Sequence, residues 1–217
     1  MRSAPAKPAA VATIYSRAQA RGQDVLRASL LDVAVGLLDT EGFSALTMRR
    51  IAVEAGCSTT VLYRLFGAKD GIAGAVYREG FARLRHRLET VPRATGPDAD
   101  PAAHLAAVGL AYREAALVER NFYVVMFNEA IPNYVPDDAA RRAAAASLDV
   151  LRDAIRACAE AGILRADSDV DEVADVLWAA SHGVISLELG GHFSAELGEQ
   201  RFRALTASAL SAYLAVG

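Results

Sequence analysis

Apolar residues recur at helical spacing from Asp24 to Thr40, at Leu26, Leu30, Ala34, Leu37 and Leu38, giving one apolar face on an otherwise polar cylinder. Glu41-Gly42-Phe43 ends this helix. Two shorter amphipathic segments follow between Thr47 and Lys69. Ile51, Ala52 and Ala55 form the inner stripe of the first, and Val61, Leu62 and Leu65 that of the second. Ala55-Gly56-Cys57 makes the turn between them, because a glycine accepts positive φ without a Cβ penalty. Ser58, Thr59, Thr60, Tyr63 and Arg64 are left pointing outward. Ile72, Val76, Phe81, Leu84 and Leu88 continue a long helix until Pro92-Arg93-Ala94-Thr95-Gly96-Pro97-Asp98 breaks it and supplies a loop between two bodies. The second body reads as helical segments at 101–118, 120–130, 136–161, 170–190 and 194–215, with breaks at Asn121, Pro132, Pro136, Gly162 and Gly190-Gly191-His192. Strand-like alternation is scarce, so the pattern predicts an all-α chain.

That pattern divides the chain into a basic arm without structure over 1–22, a three-helix unit with a helix-turn-helix over 23–70, and a linker helix plus helical domain over 71–217. The arm carries Arg2, Lys7, Arg17 and Arg21 and has no acid before Asp24. It reads as a tail, as an arm that reaches DNA phosphates or the minor groove, or, least of all, as a transit peptide. The hydrophobic share of 53% is rich in Ala, the strongest helix former.

Charge sharpens the division. The net charge of −3 conceals 13 Lys and Arg against 8 Asp and Glu over residues 1–90, and 10 against 18 over the remainder. The basic part suits a polyanion, whereas phosphate repels the acidic part. Arg78, Arg83, Arg85 and Arg87 along the long helix read as a solvated face. Cys57 and Cys158 are too few and too far apart for a disulfide framework, and Cys57 reads as a small core residue. No apolar run approaches the ~18 residues of a membrane span, and no secretory core is present at the N-terminus, so a cytoplasmic protein is expected.

Catalytic chemistry finds little support. The chain has no Gly-rich phosphate loop after a strand, no His-Glu-xx-His helix and no nucleophile elbow, so neither catalytic residues nor a cofactor are expected. His86, His104, His182 and His192 have no ligand spacing, and no metal site is expected.

Thr47-xxx-Ile51-Ala52-xx-Ala55-Gly56-Cys57-Ser58-xxx-Leu62-Tyr63-xx-Phe66-xx-Lys69, with Leu38-Asp39-xx-Gly42-Phe43-xx-Leu46 before it, resembles the helix-turn-helix of the TetR/AcrR family of transcriptional regulators. The resemblance covers about 50 residues. It implies binding of double-stranded DNA, with Thr47, Arg49, Tyr63 and Lys69 on the phosphate backbone and Ser58, Thr59, Thr60 and Arg64 facing phosphates and base edges. Thr47 and Ser58 also read as N-caps, Tyr63 as core, and Arg64 as a phosphate contact or a guanine reader. Cys57 departs from the larger aliphatic residue usual there. Gly67-Ala68-Lys69-Asp70-Gly71-Ile72 departs by its two glycines, which predict a less regular start to the next helix.

Trp178-xxx-His182-Gly183 resembles the Trp-His-Gly (WHG) signature of one C-terminal domain type in the same family, a ligand-binding and dimerising module. The resemblance implies a pocket for a small apolar effector, with Phe122, Tyr123, Met126, Phe127 and Trp178 as walls and His182 as a polar anchor. Core packing of Trp178 on His182, four residues apart, is the competing reading. It also implies a homodimer formed through helices at about 170–190 and 194–215, with Ala179, Ala180, Gly183 and Ala207 permitting close packing. The expected function is a repressor released from a roughly palindromic operator by that ligand. A dimer without an effector and an enzyme with an incidental helix-turn-helix are the alternatives.

Overall fold

The computed structural model describes residues 9–96, 99–127 and 134–215, apart from the side chains of residues 9–12 and 69. Among the described residues, helices α1 (Ala9–Glu41), α2 (Met48–Glu54), α3 (Thr59–Phe66), α4 (Lys69–Glu89), α5 (Pro101–Val118), α6 (Arg120–Phe127), α7 (Asp138–Glu160), α8 (Val170–Leu189) and α9 (Ala195–Ser211) follow in order. The chain is all-α, its extended pairing being one isolated antiparallel bridge between Leu164 and Leu214 among the described residues. It divides into two compact units between Val76 and Tyr77, inside α4.

The first unit closes over Leu30, Ala34, Leu37 and Leu38 of α1, Met48, Ile51 and Ala52 of α2, and Leu62 and Phe66 of α3, each under 9% exposed. The stripe read for α1 is correct from Leu30 onward, but Leu26 is 39% exposed. The arm expected to be without structure over 1–22 is helical from Ala9, a correction with a simple cause. Ala9 to Arg21 contains neither Pro nor Gly and is rich in Ala, so the helix propagates back from the amphipathic stretch at little cost. Residues 13–26 are all exposed, and residues 1–8, with Arg2 and Lys7, lie outside the described residues.

Side-chain caps start most helices of the second unit. Asp100 accepts from the Ala103 N–H at 2.9 Å ahead of Pro101, Asp137 from Ala140 at 2.7 Å, and Ser194 from Leu197 at 3.3 Å. Residues 92–96 and 99–100 fall within this unit, so the break expected between two bodies lies inside one of them. Phe81, Leu84, Leu105, Val108, Ile155, Cys158, Val173 and Leu177 form the main core. Gly80 lets α6 approach α4, since a Cβ there would lie 2.9 Å from the Phe122 ring and 3.0 Å from the Met126 sulfur.

Among the described residues, charge is buried once, and paired. Arg113 on α5 donates to both carboxylate oxygens of Glu188 on α8, at 3.0 and 2.7 Å, and to the Ala195 carbonyl at 2.7 Å. Gly198 leaves room for this, because its Cβ would fall 2.4 Å from the Glu188 carboxylate. The fork ties α5, α8 and the start of α9 together, and a partner 75 residues away left no local mark in the sequence. Helix α9 ends at Ser211, short of the expected 215, because Arg165 N–H donates to the Tyr213 carbonyl and Ala215 N–H to that of Ile163. The expected segment 120–130 is helical to Phe127, and 128–133 lie outside the described residues.

Candidate nucleic-acid interface and ligand cavity

The α2–α3 turn is built by backbone bonds that only a left-handed residue permits. Gly56 has φ 63°, Cys57 N–H donates to the Ala52 carbonyl at 3.0 Å, and Gly56 N–H donates to that of Val53 at 3.2 Å. This paired closure satisfies two carbonyls that α2 would otherwise leave free. Cys57 is half-buried and not the core residue that was expected. A second constraint fixes the exit from α3: a Cβ on Gly71 would sit 1.7 Å from the Phe66 carbonyl oxygen, so this close crossing admits glycine alone.

Two arginines hold the unit from its edge, and the sequence patterns missed both. Arg27 of α1 donates to the Leu65 carbonyl at 2.7 Å and lies 4.7 Å over the Phe66 ring. Arg50 of α2 pairs with Glu41 at 2.5 Å and with Glu54 at 2.9 Å. The Arg50 guanidinium holds the Glu41 carboxyl below the usual carboxylate range, and the two carboxylates raise Arg50 in turn. An i,i+4 spacing signals the Glu54 partner, but nothing local signals Glu41.

The expected DNA-facing residues share the exposed surface of α2 and α3. Thr47, Arg49, Ser58, Thr60, Tyr63 and Arg64 are exposed and Thr59 is partly so. Tyr63 is 52% exposed, which removes the core reading for this aromatic ring. Among the described residues Arg49 and Arg64 enter no ion pair. The two hydroxyls separate in role. Thr47 caps α2 by accepting from the Arg50 N–H at 3.2 Å, while Ser58 precedes α3 with extended backbone and makes no side-chain cap. Lys69 begins α4, and its side chain lies outside the described residues.

The second unit holds a cavity of about 610 Å³. Met126 and Phe127 of α6 and Trp178 of α8 line it, along with Phe81, Tyr112 and Phe202. Phe122, Tyr123 and His182 do not, and the expected wall is corrected for them. Phe122 is turned into the α4–α6 contact, with the Arg83 guanidinium 4.8 Å from its ring. Tyr123 is 1% exposed, its hydroxyl hydrogen-bonded to Nδ1 of His182 at 2.7 Å and its ring stacked on the imidazole at 5.3 Å. His182 is therefore a satisfied histidine behind the wall, and burial lowers its pKa below the ordinary histidine range. Trp178 donates to the Tyr112 hydroxyl at 3.4 Å, and burial pushes that hydroxyl well above the usual tyrosine range. The Phe127 and Trp178 rings, both in the cavity wall, lie against His182 at 5.1 and 6.1 Å between centroids. Periodicity could place Trp178 and His182 on one side of α8 but could not say which of them the cavity meets.

On the outer side of α8 and α9, Val176, Leu187 and Leu205 are 36%, 44% and 45% exposed. Gly183, Val184, Leu187, Phe193 and Leu205 line a shallow groove there. Ala179, Gly183 and Ala207 are exposed and Ala180 partly so, which makes none of them interior core. Arg78, Arg83, Arg85 and Arg87 face carboxylates: Asp137 at 3.5 Å, Glu79 at 2.9 Å, Glu89 at 2.7 Å and Glu114 at 3.1 Å respectively.

Residues 30–76 match the family described as bacterial regulatory proteins, tetR family, and residues 105–212 match a tetracyclin repressor-like C-terminal domain. The second match spans Trp178, His182 and Gly183, although its description does not single out that signature. The HTH-type transcriptional regulator BetI 2 of Chromohalobacter salexigens is 30% identical over 93 residues, 40% of this chain and 41% of that protein. The matched stretch thus spans well under half of that curated relative. Among solved structures, a protein of unknown function from Rhodococcus sp. RHA1 is similar with a TM-score of 0.74 and 26% identity over 88% of this chain and 96% of that one. The TetR family transcriptional regulator PfmR from Thermus thermophilus gives 0.61 and 21% over 84% and 97%.

Proposed function

Because the chain belongs to the TetR family of bacterial DNA-binding transcriptional regulators, we propose that it is a homodimeric repressor that a small apolar ligand releases from its operator. The observation that carries the ligand half of this reading is the cavity of about 610 Å³, walled by aromatic and aliphatic side chains in the unit without the helix-turn-helix. A core packed to ordinary density has no void of that size.

On the DNA side, Thr47, Arg49, Tyr63 and Lys69 position the unit on phosphates. Ser58, Thr59, Thr60 and Arg64 present the reading surface. Exposure of Tyr63 at 52% and the absence of ion pairs at Arg49 and Arg64 among the described residues support this division. A dimer formed through α8 and α9 presents two reading helices to successive major grooves about 34–36 Å apart, which requires a roughly palindromic operator. The exposed Val176, Leu187 and Leu205 support those helices as the interface.

Release follows from linkage. A ligand that binds the conformer with wrongly spaced reading heads weakens the operator by the same factor by which the operator weakens the ligand. The test begins with selection of bound DNA from a random pool at fixed salt, followed by operator titrations with compounds that raise the melting temperature. A coupling of ~1–3 kcal/mol predicts operator binding weakened 5- to 150-fold. A compound that occupies the cavity yet leaves operator affinity unchanged refutes release by ligand and leaves a DNA-binding dimer without an effector.

A further inference from the structure

Few polar side chains line the cavity, and most of them are already engaged. Among the described residues that line it, Arg203 is the one charged side chain. It is committed to Glu199 at 2.9 Å, and both side chains are about half exposed. An ionised ligand would lose its hydration here without gaining a free counter-charge, which burial penalises heavily.

The hydroxyls are mostly committed as well. Ser147 donates to the Ala144 carbonyl and Thr206 to that of Phe202, both at 2.7 Å, so each is satisfied by its own helix. Tyr112 accepts from Trp178. Tyr77 is partly buried at the wall, and burial raises its hydroxyl above the usual tyrosine range. Ser181 is the most buried of the cavity hydroxyls for which no hydrogen bond is found among the described residues: it is 6% exposed and lines the cavity. A hydroxyl that faces a cavity completes its hydrogen bonding with water or with an occupant.

We propose that the cavity takes an uncharged, ring-bearing molecule with one hydrogen-bonding oxygen, seated against the Ser181 hydroxyl on a wall of aromatic side chains. This rests on the reading of the cavity as the effector site. A donor and acceptor such as Ser181 meets a phenol or an alcohol equally well, while the Trp178, Phe127 and Phe81 rings supply edges and faces for a second ring.

Trp178 is the chain's single tryptophan and stands in the wall, so its fluorescence reports occupancy directly. The full-length protein is titrated at pH 7.4 with 4-phenylphenol, biphenyl and biphenyl-4-carboxylate, and melting temperature is followed in parallel. The phenol is expected to bind tightest, biphenyl about five- to tenfold more weakly for want of one hydrogen bond, and the carboxylate weakest of the three. In Ser181→Ala the phenol falls to the affinity of biphenyl and biphenyl itself is unchanged. A carboxylate that binds as tightly as the phenol, or a phenol advantage that survives Ser181→Ala, overturns the proposal while the ligand site stands. If all three compounds fail to perturb Trp178 and the melting temperature, or bind unaltered to Ala144→Phe, which narrows the cavity and adds no second tryptophan, the ligand site itself fails and the proposal with it.

Discussion

Two hydroxyls in equivalent sequence positions, Thr47 and Ser58, each stand just before a helix, yet only Thr47 spends its oxygen on the cap. Thr47→Ala is therefore expected to cost about 1 kcal/mol of stability, the usual value of an N-cap. Ser58→Ala is expected to stay within about 0.5 kcal/mol. Urea denaturation of the two variants decides the point, and a Ser58→Ala loss as large as that of Thr47→Ala would return Ser58 to a structural role. Both positions were legible from sequence because cap residues and their offsets are local. Which hydroxyl is engaged was not, since that depends on a side-chain torsion. The same limit explains His182: the i,i+4 relation to Trp178 was visible, while its actual partner, Tyr123, lies 59 residues away.

At the scale of elements, periodicity carried the reading where a helix has one buried face and failed where it has none. The α2–α3 pair and the segments of α5, α7 and α8 fell close to their expected bounds because apolar stripes and turn glycines mark them. The exposed first turns of α1 have no stripe to read, and the end of α9 is set by a bridge to residues 163–165 that leaves no periodic trace. Glycines separate in the same way. Gly56 has φ 63° with nothing within 4 Å of a Cβ, so Gly56→Ala faces only the left-handed backbone penalty, about 1–2 kcal/mol. Gly71 has an ordinary helical setting but a backbone carbonyl 1.7 Å from the Cβ position, and no side-chain rotation relieves that. Gly71→Ala is expected to cost about 3 kcal/mol or more, as steric overlap in a packed core does. Thermal denaturation that ranks Gly56→Ala as the worse variant would show that α3 and α4 do not approach as described. Of the two glycines flagged as an irregular start to α4, Gly71 is thus the condition for that approach, while Gly67 ends α3 at positive φ with open space around its Cβ position.

For the whole molecule, the structure redistributes the charge that the sequence had halved at residue 90. With the division at Val76, the first unit holds 9 Lys and Arg against 6 Asp and Glu, and the second 14 against 20. The α4 arginines fall on the acidic side and are met there by carboxylates, so they add little to attraction for phosphate. A net excess of only three basic residues makes one unit a weak DNA binder on charge alone, and affinity then has to come from two units acting together. Joining two half-site contacts in one particle raises affinity by about 10²–10⁴ without any new contact. The apolar face of α8 and α9 is where the joining is expected, and Leu205, 45% exposed beside the groove that Leu187 and Gly183 line, is its most accessible large side chain. Leu205→Glu places a charge at that face without touching the buried Arg113–Glu188 fork. Sedimentation is expected to give a dimer for the native chain and a monomer for Leu205→Glu. Operator affinity is expected to fall by about 100-fold or more with the helical content unchanged. A Leu205→Glu protein that stays dimeric puts the interface elsewhere. A monomer that keeps full operator affinity removes the reason for a palindromic operator.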